Sequence, residues 1–393
     1  MPADPELAAR LTRNAVHVLP EGELERKLAL GRPLRVKLGI DVTAPDIHIG
    51  HAIPLQRMRA FQDAGHVGVL IVGDYTTRIG DPSGRSSERP ILSDEEIDRN
   101  AKTYLDQAAQ VVDTSPDRLE VRFNGEWLST LDFAEVVRLT RTITVARLLE
   151  RDDFAKRFVE QTPISVSELL YPFMQAYDSV AIRADVELGG TDQLYNLLAG
   201  REVQQAYGQD PQVALTTPLL LGSDGRKMSA SLGNYVGLRD SAEDQFGKTM
   251  RISDEMLPEY YRLVMEQEPP DGDPLEAKLA LARFVAGRSH GEEAATAAED
   301  HFTRVVREGR EPEEVPEITV EAADGAVHLP ALLVEHLGIP STSEARRLIA
   351  QGGVKVNGEA VDVLDLEAAR LDGALVQAGK RRFARISVTP RPS

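Results

Sequence analysis

The chain has 393 residues, enough for two or three domains at roughly 100–200 residues each. Its apolar fraction of 42% supports real cores, yet no stretch reads as a membrane span or an apolar leader, so a cytoplasmic protein with no membrane partner is expected. The absence of cysteine excludes disulfides, thiolate zinc sites and a cysteine nucleophile, and the net charge of −18 argues against non-specific nucleic-acid binding over the whole surface while leaving room for a local basic site.

In chain order, LRVKLGI (34–40) predicts a compact strand, HAIPLQRMRAFQDAG (51–65) a helix, and VGVLIVGD (67–74) a β-branched buried strand. Leu55, Met58 and Phe61 recur at helical spacing and Gly65 stops the run. This is a βαβ unit, whose crossover favours a parallel sheet. Between its first strand and its helix lies DIHIGH (46–51), so His48, Gly50 and His51 fall where doubly wound sheets bind ligands. A metal pair, a phosphate site and two packed histidines all fit that position. The helix start directs unpaired N–H groups and a positive dipole end at the loop, which suits an anion. Gly50 leaves room for a nucleotide to approach the backbone. Two histidines at this spacing have no evident third ligand nearby, so no metal site is expected. The motif alone does not separate the phosphate reading from histidines that cap and pack.

YPFMQAYD (171–178) follows. In a helix Tyr171, Gln175 and Asp178 share one face, offering a phenol, an amide and a carboxylate to one small polar ligand, with Leu170 and Phe173 on other faces. After the strand-like VALTTPLLL comes GSDGRKMSASLGN (222–234), a Gly/Ser loop bearing Arg226 and Lys227. A lysine on a mobile loop makes a good clamp for a triphosphate, although alone it is an ordinary exposed side chain. Residues 242–264 and 273–306 are helix-rich, and the acidic REGREPEEVPEITVEAADG reads as a solvated linker. From Ala331 to Ser393 nine Lys and Arg stand against seven Asp and Glu, while the remainder carries 36 against 56, so the tail is a different module. In it, PSTSEARRLIAQGGVKVNGEAV shows a capping box from Ser341 to Glu344, a Gly-Gly stop and a strand, and LVQAGKRRFARI a hairpin-like end.

HIGH at 48–51 with KMSAS at 227–231 resembles the class I aminoacyl-tRNA synthetases, whose paired signatures are HIGH and KMSKS. YPFMQAYD, GGTDQ (189–193), GIDVTAPDIHIGH and IGDPSGR are similar to segments of the bacterial tyrosyl branch, in the subgroup with lysine before the GID segment. The resemblance implies tyrosine activation by ATP and transfer to tRNA(Tyr). It implies a doubly wound, Rossmann-like α/β catalytic domain over 1–236, a helical anticodon-binding domain over 237–310, an acidic linker over 311–329 and a small α+β RNA-binding domain over 330–393, similar to a fold first known from a ribosomal protein. It implies that Asp178 accepts the substrate's phenolic proton and that Tyr171, Gln175 and Asp81 hold the α-ammonium. Gln193 would lie near the substrate carboxylate, with Lys37 where many relatives have a pocket tyrosine. Gly190 and Asp192 would contact ribose and Asp41 the amino group or α-phosphate region, with Gly50 beside the nucleotide. Thr43 and His48 would act on the pyrophosphate side, His51 on the adenosine side, and Lys227 on the β/γ-phosphates. The second lysine of KMSKS is Ala230 here, for which Arg226 is a candidate substitute, and Leu38 cannot donate to ribose. Arg346, Arg347, Lys380, Arg381 and Arg382 would touch RNA. Mg²⁺ would arrive with ATP, with no permanent cofactor, and a homodimer is expected. A tryptophanyl-tRNA synthetase is opposed by Asp178 and the tail. A nucleotidyltransferase with His-x-Gly-His would not need the tail. A non-catalytic RNA-binding paralogue is suggested by Ala230 and opposed by the intact His48, His51, Gln175 and Asp178.

Overall fold

The computed structural model describes residues 5–81, 92–229, 232–307, 315–322, 325–379 and 382–390. The chain divides into two compact units, Met1–Val285 and Ala286–Ser393.

The first unit is built on a six-stranded sheet: β1 His17–Leu19, β2 Arg35–Ile40, β3 Val67–Val72, β4 Leu119–Phe123, β5 Val186–Gly190 and β6 Val213–Thr217. Its spatial order is β1-β6-β5-β2-β3-β4. β2 pairs in parallel with both β3 and β5, with Leu38 opposite Leu70 on one side and Leu188 on the other. The chain runs outward from β2 through β3 to β4, then returns to β5 and β6. Connections after β2 and β5 therefore diverge to opposite sides and open a crevice at the carboxyl ends of these two strands. The expected parallel sheet needs one correction: β1 is a three-residue antiparallel edge strand on β6. Its short run, half-buried throughout, carries no strand pattern long enough to read from sequence.

The first crossover helix is Ile49–Asp63, and Leu55, Met58 and Phe61 are fully buried on one face of it. Gly65 takes φ 91°, the left-handed conformation that stops the run. The helical stretch expected as a separate domain from residue 237 does not separate there. Phe246 is fully buried, and Leu257, Tyr260, Leu263, Leu281 and Val285 belong to the same apolar cluster as Val36, Leu55 and Phe61. Up to Val285 these helices bury their apolar faces in the same core as the sheet.

The second unit contains a five-stranded sheet ordered β10-β9-β12-β13-β7. Its strands are β7 Glu317–Ala322, β9 Val354–Val356, β10 Glu359–Ala360, β12 Leu375–Ala378 and β13 Arg382–Pro390, and the short β8 Ala326–His328 pairs with β11 Asp365–Glu367. The acidic stretch read as a linker over 311–329 is corrected where it is described. β7 lies parallel to β13 with Val320 opposite Val388. Val320 and Ala322 are buried while Glu317 and Glu321 face water, a period-two pattern hidden by the density of acids. The helix Thr342–Ala350 starts as the capping pattern predicts, with Ser341 Oγ accepting from the Glu344 N–H at 3.2 Å. β12 and β13 form the expected hairpin. Among the described residues no helix is long and apolar enough to cross a membrane.

Candidate active site

The crevice holds one cavity lined by residues from the ends of β2, β3 and β5, the HIGH helix and two loops. Thr43, His48, Gly50, His51, Asp41, Asp81, Tyr171, Gln175, Asp178, Gly190, Asp192, Gln193 and Lys227 all line it, brought from more than 180 residues of sequence.

At one end stands the HIGH pair. The backbone N–H of His48 donates to Nδ1 of His51 at 3.3 Å, and the two rings stack with centroids 3.9 Å apart. Burial, then the neighbouring imidazole and Lys227, lowers the pKa of His48 to about 2; burial and Lys227 lower that of His51 to about 4. Both rings are neutral at physiological pH. An accepting Nδ1 puts the proton of His51 on Nε2, so the ring is a neutral donor rather than a cation. Nδ1 of His48 is buried with no hydrogen-bond partner among the described residues. A Cβ on Gly50 would sit 3.0 Å from that atom, so glycine is what lets the His48 ring fold over the helix start. The edge is sealed by backbone bonds: the Ile49 N–H donates to the Val236 carbonyl at 3.0 Å and the Leu238 N–H to that of Ile47 at 3.0 Å.

The KMSAS loop closes the same end. Met228 is buried, and its N–H donates to the Leu220 carbonyl at 3.2 Å. Asn234 pins the loop from within, accepting from the Ser229 N–H at 2.9 Å and donating to Asp224 at 2.7 Å. Lys227, more than half exposed, reaches Asp192 at 2.6 Å. A lysine so held sits at the mouth with its charge neutralised by a residue of the opposite wall. Arg226 does not reach the cavity: its guanidinium pairs with Asp224 at 2.6 Å in the turn before it. Ala230 lies outside the described residues.

The other end is a continuous polar network around an apolar slot. Tyr171, Gln175 and Asp178 share one face of the helix Val166–Ile182, as the spacing predicts. The Tyr171 hydroxyl donates to Asp41 at 3.0 Å, and Asp41 also accepts from Thr76 at 2.8 Å and from the Asp81 N–H at 3.2 Å. Asp81 accepts from Gln193 at 2.6 Å, whose amide oxygen accepts from Asn196 at 3.1 Å. Asn196 also donates to the Gln175 amide oxygen at 3.0 Å. Asp178 is buried at the closed end, accepting from the Trp127 indole at 2.8 Å and from Asn124 at 3.3 Å. Burial pushes its pKa up to about 7; the opposing influences are the Lys37 charge and these two donors. Burial beside Asp41, Asp81 and Asp178 holds the Tyr171 phenol well above its ordinary range, so it stays a donor.

Lys37 is a correction. It is fully buried and does not line the cavity; its ammonium donates to the Gln175 carbonyl and to Ser179 Oγ, both at 2.8 Å, and pairs with Glu187 at 2.9 Å. A lysine inside a strand can be stable only against a buried acid, and the acid is supplied by β5 next to it. The sequence reading missed Trp127, Asn124, Thr76, Asn196 and Glu187. The first two had a signal: the alternating LEVRF is followed by Asn-Gly, a second strand end of the kind that carries HIGH. Gly73 was missed too; a Cβ there would lie 2.4 Å from Thr76 Oγ1 and 2.5 Å from Asp41 Oδ1. In the second unit Arg346, Arg347 and Arg382 are exposed, with Arg347 3.1 Å from Glu344. Lys380 and Arg381 lie outside the described residues.

Similar proteins share this architecture. The family described as tRNA synthetases class I (W and Y) matches residues 29–307, and the S4 domain family matches 328–364. The tyrosine–tRNA ligase of Geobacter sulfurreducens is 50% identical, with 96% of this chain and 98% of the relative covered. That of Thermotoga maritima is 47% identical, with 96% of each covered. Among solved structures, the tyrosyl-tRNA synthetase of Archaeoglobus fulgidus complexed with L-tyrosine superposes with a TM-score of 0.61 at 23% identity, over 75% of this chain and 99% of that one, which speaks to the fold. A cavity that joins a HIGH pair to a KMSAS lysine, on a chain matched from end to end at this identity, leaves one assignment: the chain belongs to the class I tRNA synthetases of the tryptophan and tyrosine family.

Proposed function

We propose that this chain is a tyrosine–tRNA ligase. The tyrosine carboxylate attacks the α-phosphorus of ATP and pyrophosphate leaves; a ribose hydroxyl at the 3′ end of tRNA(Tyr) then attacks the tyrosyl carbonyl and AMP leaves. The observation that carries the reading is Asp178, buried at the closed end of the slot with its two donors already in place. A third donor, the phenol of tyrosine, completes its hydrogen bonding, whereas phenylalanine leaves a buried carboxylate short of a partner.

The α-ammonium fits the cluster of Tyr171, Asp81 and the Gln175 amide oxygen, and Gln193 stands beside it for the carboxylate. Gly190 and Asp192 suit ribose, and Asp41, held by Thr76 and Tyr171, lies between the amino group and the α-phosphate. The carboxylate is already a nucleophile, so the first step needs alignment and charge stabilisation rather than a general base. Neutral His48 and His51 serve as hydrogen-bond donors to the triphosphate and the adenosine, with Thr43 beside them, and Lys227 exchanges Asp192 for the β/γ-phosphates. Mg²⁺ enters with ATP in this reading and adds positive charge on the phosphate oxygens. The exposed Arg346, Arg347 and Arg382 are candidate phosphate contacts to tRNA. Phe133, Phe158, Val159 and Val166, exposed apolar side chains within one stretch of the first unit, support a homodimer. The enzyme works in the cytoplasm in this reading. ATP–pyrophosphate exchange with each of the twenty amino acids tests it: tyrosine alone is expected to support strong exchange, and equal exchange with tryptophan overturns the assignment.

A further inference from the structure

We propose that Lys37 and Glu187 form a positioning pair for the tyrosine slot, fixing Gln175 and Asp178 from beneath and so setting the preference for a phenolic amino acid. The inference rests on the ligase reading and deepens it.

The geometry is that of a closed clamp. An ammonium has three N–H donors, and Lys37 spends them on Glu187, the Gln175 carbonyl and Ser179 Oγ at 2.8–2.9 Å. None remains for a ligand. Glu187, equally buried, accepts from Lys37, from Gln175 Nε2 at 3.1 Å, from Ser179 Oγ at 3.3 Å and from Gln212 Nε2. The pair thus grips the helical turn 175–179, which carries both Gln175 and Asp178 into the slot.

Two functional consequences follow from the chemistry. An ionised Glu187 can only accept, so it takes the NH₂ end of the Gln175 amide and turns the carbonyl end toward Asn196 and the cavity, the orientation an ammonium substrate requires. Lys37 also supplies the nearest balancing charge to Asp178. The titratable groups facing Asp178 are Lys37 from β2, Glu187 from β5 and Tyr171 on its own helix. Among them the lysine favours the carboxylate that accepts a phenol and Glu187 opposes it, while the Tyr171 phenol stays neutral.

The test uses full-length enzyme and tyrosine-dependent pyrophosphate exchange. Lys37→Met alone strands Glu187 without a counter-charge and is expected to fold poorly, so the decisive variant is Lys37→Met/Glu187→Gln, which removes both charges. We expect it to fold, to raise the KM for tyrosine by roughly tenfold or more, the size of one charged hydrogen bond, and to leave the KM for ATP within about twofold. The tyrosine/phenylalanine ratio falls, and the acid limb of kcat/KM for tyrosine moves to higher pH, which a merely structural pair would not do. Ser179→Ala cuts only the hydroxyl link and keeps both charges; it is expected to raise the tyrosine KM by about threefold, and it decides the matter should the double variant not fold. A folded double variant with unchanged tyrosine KM, selectivity and acid limb overturns the proposal, as does an unchanged KM in Ser179→Ala. Absence of tyrosine-dependent exchange in the unmodified enzyme would instead overturn the ligase reading.

Discussion

Replacing Asp178 by asparagine is expected to shift stability in favour of the variant as pH rises, while destroying its selectivity. Burial raises the Asp178 pKa from 3.8 to about 7. In the window between those values the unfolded chain has released the proton and the folded chain still holds it, so folding stability declines as pH rises through that window and levels off above it. One pKa unit is worth about 1.4 kcal/mol, so between pH 5 and pH 8 the wild type loses about 3 kcal/mol through this one group. Asparagine does not ionise. Its amide oxygen can keep the Trp127 indole, but its NH₂ then faces the Asn124 NH₂, which returns part of the gain at every pH. The variant's stability relative to wild type is therefore expected to grow by about 3 kcal/mol from pH 5 to pH 8, whatever its sign at pH 5. Urea unfolding of both proteins at the two pH values measures the difference, since groups unaffected by the change cancel. Exchange assays on the same samples are expected to show the preference for tyrosine over phenylalanine lost. A stability difference that is the same at pH 5 and pH 8 would refute the argument that Asp178 folds in a protonated form.

Lys227→Ala is expected to slow adenylate formation by about a hundredfold to a thousandfold, as loss of a preorganised charge contact does, with tyrosine affinity little changed; single-turnover kinetics separates the two. Gly73→Ala drives a methyl into Asp41 and Thr76, so reduced exchange and a lowered unfolding midpoint are expected together. Removing residues 316–393 is expected to leave exchange nearly intact and to weaken tRNA charging, whereas a cut at 331 strands β7 without β13 and is expected to aggregate; exchange, charging and light scattering on both truncations check this.

The catalytic end of the molecule was legible because its signals are local. HIGH needs a strand end and a helix start, and both were written in a single βαβ stretch. The 171, 175, 178 spacing needs only a helix. What escaped was set by pairings far apart in sequence. Nothing near Lys37 says that Glu187 stands beside it on the next strand, so a buried ion pair was read as a ligand contact. Trp127 and Asn124 reach Asp178 from another strand end, again a matter of topology. In the tail the acids of 317–322 masked an alternation that only the parallel partner β13 makes meaningful.

The strand order also has a temporal side. β1 leaves the ribosome long before its partner β6, which ends at Thr217. β2 likewise cannot be flanked on both sides until β5 has been made. For most of the synthesis of this unit, the strand that precedes the HIGH motif is therefore an open edge, its backbone donors and acceptors available to any passing chain. Domains are finished vectorially only when their contacts are local, and here the closing pairs are among the most distant ones. Until residue 217 is out the nascent unit therefore carries unpaired strand edges, and the complete sheet that frames the slot exists only after that moment.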